Sequence, residues 1–272
     1  MNRRVFSALL GALSVPAAAI SVAAPPQYAL VDLGVDSIPG TGLLVIRQSI
    51  QSPRQDLPSS GGKNCMNGIV WNEVYVEFSN FAVGATCVAP LGQHAATWTS
   101  SGGQSKLTDL GTLPGSHPDT GGDFSVATDY NTAGDIVGTS QSAYFTNNIG
   151  NPYVADHGFI YNNGQWTDLI PIAGPNYFSS ASGVNASREV VGSTNTISSV
   201  TGETLNRAFI YIDGKMYNLT FYLVGGPTVL LTNATGIDCQ GNIGATGTPA
   251  GSVYVHDYLL VRQGPARTSC PK

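Results

Sequence analysis

The sequence predicts an all-β repeat fold: a β-propeller of four four-stranded antiparallel blades, with the ring closed by the N- and C-terminal strands. Three observations carry this. A four-beat phrase recurs along the chain at a spacing of about fifty residues, the length of a propeller blade. The beats are short, rich in β-branched and aromatic residues, and punctuated by Gly, Asn, Asp and Ser. The chain also begins on a second beat and ends on a first beat, so its two ends complete one blade between them.

The first beat reads HAATWT from His94, HGFIY from His157, RAFIY from Arg207 and HDYLL from His256. The second reads LTDLG from Leu107, WTDLI from Trp166 and YNLT from Tyr217, with Tyr28 to Gly34 as an N-terminal counterpart. Between first and second beats stand Asn162-Asn163-Gly164 and Asp213-Gly214. Asn-Gly and Asp-Gly favour the tight turns whose central residues need positive φ, and so mark hairpins. The third beat centres on Ala181 to Val184 and Ala234 to Ile237, with Glu73 to Ser79 as its first copy. Asn131, Asn185 and Asp238 then open a turn into the fourth beat, Glu189 to Ser193 or Asn242 to Thr246. No window outside the first two dozen residues carries a helical apolar period.

Tyr28 to Gly34 has no first strand before it, and His256 to Arg262 has no second strand after it. Pairing these ends removes an exposed sheet edge that would otherwise invite aggregation. An open β-solenoid is the rival architecture, needing caps at both ends; a less symmetric β-sandwich is a more distant one. Two insertions interrupt the repeat, residues 35–72 and residues 139–156, and long loops of this kind are usually functional or disordered.

Residues 1–24 read as a secretory signal peptide. Arg3 and Arg4 precede a short apolar stretch, and Ser21 to Ala24 supply small residues for cleavage. The remainder, 25–272, reads as a single domain, soluble, exported and monomeric. Leu219 to Leu231 is apolar but broken by Gly225, Gly226 and Pro227, so no membrane span is expected. The formal charge is −5, and loss of Arg3 and Arg4 makes it −7, which argues against nucleic acid as a partner. Only 11% of residues are charged, against about 25% in typical soluble proteins; the polar surface must come from Ser, Thr, Asn and Gly. Four cysteines in an exported chain point to two disulfides. Sequence proximity favours Cys65–Cys87 and Cys239–Cys270 among the three possible pairings.

The beats resemble those of the HAF-repeat extracellular proteins of bacteria. The resemblance rests on His94-Ala95-Ala96, His157-Gly158-Phe159, Thr108-Asp109-Leu110-Gly111 and the runs Asn131 to Gly138 and Asn185 to Gly192. It covers residues 27 to about 262. It implies export and a repeat β fold, and brings no catalytic residues with it.

His94, His157 and His256 invite a metal-site reading, but each stands at the same place in a different repeat and ties a loop to its neighbour; Arg207 takes the fourth place. Asp32, Asp109 and Asp168 recur in the second beat, where Asn218 keeps the acceptor without the charge. Turn or inter-blade hydrogen bonds are the expected role. Asn131, Asn185 and Asp238 read as turn residues bonding the backbone two residues on. Asp119, Asp123 and Asp129 match no defined calcium loop. No hydrolase elbow or phosphate loop is present, so no catalytic residue, cofactor or metal is expected. The aromatics near the irregular segments, Phe81, Tyr177 and Phe178 among them, could stack on sugar rings or meet a protein. The expected function is therefore an exported binding module for an unknown glycan or protein. The alternative is a carbohydrate-active hydrolase or lyase at the propeller mouth, needing two converging carboxylates from Glu73, Glu77, Asp123 and Asp156.

Overall fold

A computed structural model describes residues 25–35, 52–53, 72–88, 92–114, 124–146, 152–170, 178–197 and 204–264. Residues 1–24, read from the sequence as a signal peptide, lie outside these, as do Cys65, Cys270, Asp119 and Asp123. The described residues form four antiparallel sheets and no α-helix.

The first sheet orders β2 (Ser52–Pro53), β3 (Asn72–Phe78), β4 (Phe81–Val88), β5 (Gly92–Ser101) and β6 (Gln104–Gly111) side by side. The second holds β7 (Ser125–Tyr130), β8 (Ile136–Thr146), β9 (Pro152–Asn162) and β10 (Gln165–Asp168). The third holds β11 (Phe178–Val184), β12 (Val190–Ile197), β13 (Thr204–Ile212) and β14 (Lys215–Asn218). The fourth is built from β15 (Val229–Ile237), β16 (Ile243–Pro249), β17 (His256–Arg262) and, at its edge, β1 (Tyr28–Val35). The two ends of the chain therefore share one sheet. Tyr28 stands opposite Arg262 and Val35 opposite His256.

The hydrogen-bonded sheet starts at the third beat, one half-repeat out of phase with the written phrase. Two-residue turns explain why the first and second beats stay together. Asn163 and Gly164 both have positive φ (48° and 81°), as do Asp213 and Gly214 (49° and 81°). The third and fourth beats are joined by a two-residue turn in the first sheet and by five-residue turns in the other three, whereas the link from second to third is longer and passes to the next sheet. The sequence also extends the second beat of the third repeat to Thr220. In the structure the strand stops at Asn218, whose Oδ1 accepts the Thr220 N–H and starts a 3-10 turn, Leu219–Tyr222.

Both insertions contribute strand. The described part of residues 139–156 lengthens β8 and β9, with Tyr144 opposite Val154 and Thr146 opposite Pro152. Within residues 35–72, β2 adds a fifth strand at the edge of the first sheet.

The glycine of the fourth beat has a steric cause. The third-beat strand bulges in every sheet: at Val74/Val76, Ala127/Asp129, Ala181/Gly183 and Ala234/Gly236. A bulge bends its strand and locally disrupts the ladder, and here the backbone beside it crowds the facing glycine. A Cβ on Gly138 would lie 1.9 Å from the Val126 carbonyl oxygen, and one on Gly192 would lie 1.9 Å from that of Ser180. Ala245 stands at the matching place in the fourth sheet, where β15 carries a second bulge between Leu231 and Asn233.

Three of the apolar clusters lie between consecutive sheets, and a fourth, Val74, Ala82, Ala96 and Trp98, belongs to the first sheet alone. Val83, Ala95, Ala127, Ile136 and Phe159 pack the first against the second. Val137, Ile160, Val184, Val190 and Phe209 pack the second against the third. The largest cluster joins third to fourth through Ile210, Leu219, Leu231, Ile243, Tyr258 and Leu260, with Tyr28 of β1 among them. The described residues form no joint of comparable extent between the fourth sheet and the first. Cys87 and Cys239 are each engaged in a disulfide; the expected pairings involve Cys65 and Cys270 and so lie outside the described residues.

Candidate functional site

The recurring histidines and aspartates meet within each sheet. His94 Nδ1 lies 2.9 Å from Asp109, His157 Nδ1 2.8 Å from Asp168, and His256 Nδ1 2.9 Å from Asp32. Register sets this up. Asp109 faces Ala96, Asp168 faces Phe159 and Asp32 faces Tyr258 across the ladder, each two residues beyond the histidine. The same carboxylate also closes a turn: its Oδ1 accepts the N–H of Gly111, Ile170 or Gly34. Asn218 does the same for Thr220, and Arg207 replaces the histidine there. The histidine therefore clamps the second strand to the first inside one sheet, rather than a loop to a neighbouring blade. Slight burial works against the ionised Asp32, but the Gly34 N–H and His256 outweigh it and hold its pKa below the usual value. Among the described residues no three His, Cys, Asp or Glu side chains gather as metal ligands.

The third-to-fourth turns also serve as joints between sheets. Asn131 Oδ1 accepts the N–H groups of Ala133 and Asp135, and Asn185 Oδ1 those of Ser187 and Glu189. Asp238 receives Asn242 in the same way. Asn131 Nδ2 then reaches across to the Asn185 carbonyl, at 2.9 Å. Asp129, weighed from the sequence as a calcium ligand, accepts the Val184 N–H at 2.9 Å and joins second to third sheet. Glu189 takes both carboxylate oxygens to Arg262 Nη1, at 2.9 and 2.8 Å, and joins third to fourth.

A surface that can hold a ligand lies elsewhere among the described residues. A cleft of about 440 Å³ spans the second, third and fourth sheets. That is within the roughly 300–1,000 Å³ of small-molecule sites. Thr139 and Asp156 line it from the second sheet, and Thr232 and Asn233 from the fourth. The third sheet supplies Phe178, Ser179, Ser180, Ser193, Thr194, Asn195 and Asn206. Some of these groups fix the walls: Thr139 and Ser180 share a 2.7 Å hydrogen bond, and Ser179 Oγ accepts the Gly158 N–H at 2.8 Å. Asp156, Asn206 and Asn233 make no side-chain hydrogen bond among the described residues and remain available to a ligand. Burial raises the Asp156 pKa above the ordinary carboxylate value, with nearby His157 pulling the other way.

Of the four acids singled out for hydrolysis, Asp156 is the one lining this cleft. Glu77 is exposed on β3, while the side chain of Glu73 and all of Asp123 lie outside the described residues. Phe178, one of the aromatics flagged in the sequence, is 37% exposed at the cleft wall, whereas Phe81 packs edge-on against Tyr130 at 4.7 Å. The Ser, Thr and Asn lining was missed because no motif marks it. The signal that could have found it is the polar run after each fourth-beat glycine, Thr139-Ser140 and Ser193-Thr194-Asn195.

No protein-family model, curated protein or solved structure matches the chain.

Proposed function

We propose that the protein is an exported binding module, a four-bladed β-propeller that holds its ligand in the cleft crossing the second to fourth sheets. The observation that carries this is the cleft itself: three separate repeats converge polar groups on one concavity, as small-molecule sites do. Export is supported by the basic and apolar character of residues 1–24 and by the disulfide-bonded state of Cys87 and Cys239. The resemblance of the beats to those of the HAF-repeat extracellular proteins accords with both. Ring closure is supported by the shared β1–β17 sheet. It is also supported by Val31, Leu33 and Leu230, exposed by 42, 46 and 39% on the fourth sheet, which a joint to the first sheet would cover. No helix among the described residues is long and apolar enough to cross a membrane.

A thermal-shift screen of the processed protein tests the cleft, because a ligand that binds only the folded state raises Tm by mass action. The probes are neutral, acidic and cationic oligosaccharides, amino acids and nucleosides. At least one compound is expected to raise the Tm of the native protein and leave a folded Ser193→Trp variant, its cleft filled by the indole, unmoved. Equal shifts in both proteins, or none in the native one, would remove the cleft from consideration.

A further inference from the structure

We infer that the ligand of this cleft is an uncharged sugar chain, with Phe178 as the stacking surface for one ring and Asp156 as an acceptor for its hydroxyls. This rests on the cleft being the binding site. Three features of the lining select the chemistry.

The first is Phe178. A phenyl ring 37% exposed in a polar wall leaves apolar area in water. Its backbone is held on both sides: the Phe178 N–H donates to Asn195 Oδ1 at 2.9 Å, and the Thr194 hydroxyl donates to the Phe178 carbonyl at 3.0 Å. The ring is thus mounted on a fixed strand end rather than a free loop. An aromatic face held this way gains by covering a flat apolar partner whose edges are polar. The C–H face of a pyranose is such a partner.

The second is the balance of the remaining groups. Apart from Asp156 and Phe178, every described lining residue is Ser, Thr or Asn. Hydroxyls and amides both donate and accept, which matches sugar hydroxyls that do the same. No lysine, arginine or histidine stands among the described lining residues, so a phosphate, sulfate or uronate would find no counter-charge there. The net charge of −5 disfavours such ligands further.

The third is Asp156. A partly buried carboxylate without a hydrogen bond of its own is an acceptor awaiting donors, and bonds to a charged acceptor are stronger than neutral ones. An ammonium ligand would satisfy it too. However, cages for such cations are built from several aromatic faces, and Phe178 is the one aromatic among the described lining residues.

Titration calorimetry with defined hexasaccharides tests the inference. The neutral probes are cello-, xylo-, manno- and laminarihexaose; the charged ones are oligogalacturonate and a chitosan hexamer. At least one neutral hexasaccharide is expected to bind. Phe178→Ala should weaken it about tenfold or more, Phe178→Trp should keep it, and Asp156→Ala should weaken it about tenfold. Retained Phe178→Trp binding separates loss of the ring from loss of the fold. Binding of charged probes alone, no binding of neutral ones, or indifference to Phe178→Ala overturns the sugar assignment. The two readings fail differently. A non-sugar or charged ligand blocked by Ser193→Trp leaves the cleft standing and removes only the sugar. A full panel indifferent to Ser193→Trp removes both.

Discussion

Replacing Glu189 with alanine is expected to destabilise the protein by about 3–5 kcal/mol, among the largest losses available to a single substitution here. Glu189 is 1% exposed and Arg262 8% exposed. The carboxylate receives Arg262 Nη1 on both oxygens and Asn185 Nδ2 at 2.7 Å. Without it a buried guanidinium keeps its charge and loses its counter-ion, and its Nε already has no hydrogen-bond partner among the described residues. The pair itself is not expected to be worth that much. Two charges taken out of water together roughly balance their own attraction, so a Glu189→Met, Arg262→Met double variant should recover most of the loss. Urea midpoints of the disulfide-intact protein measure both. A single variant within about 1 kcal/mol of the native protein would mean that the third and fourth sheets are not joined at this point.

Gly192→Ala is expected to cost about 3 kcal/mol, at the upper end for overpacking. The added methyl would meet the Ser180 carbonyl at 1.9 Å, with Ala181 Cα and Phe209 Cε1 each 3.0 Å away. The carbonyl belongs to a bulged backbone, so relief requires moving strand β11 rather than a side chain. Gly164→Ala is the contrast. Nothing lies within 4 Å of its Cβ position, and its cost is the positive φ of 81° alone, roughly 1–2 kcal/mol. Equal losses at the two sites would show that the bulge does not press on Gly192.

These two residues also show how far the sequence could be read. Gly192 was visible as part of a recurring beat, and the beat placed the strands correctly because alternation and Asn-Gly turns are local signals. Its reason was not visible, since the bulge opposite it belongs to the partner strand. Glu189 was legible as the start of a strand, yet nothing announced Arg262, seventy-three residues away. The His–Asp clamps fell between these cases. The residues were marked by repetition, but only the register showed that each pair lies inside one sheet. The phase of the sheets differs from that of the written phrase, because a repeated phrase has no intrinsic first beat and turn length decides where one sheet ends. The cleft was least legible, because Ser, Thr and Asn from three repeats carry no spacing signal until the sheets are stacked.

Strand β1 completes the sheet made by β15, β16 and β17. Amide hydrogen exchange of the native protein tests it most directly, since exchange reports which backbone groups share a cooperative unit. The pairing of Tyr28 with Arg262 through Val35 with His256 predicts that ladder amides of residues 28–35 are protected together with those of β17, and to a similar degree. Rapid exchange across residues 28–35 beside a protected β16–β15 ladder would contradict it.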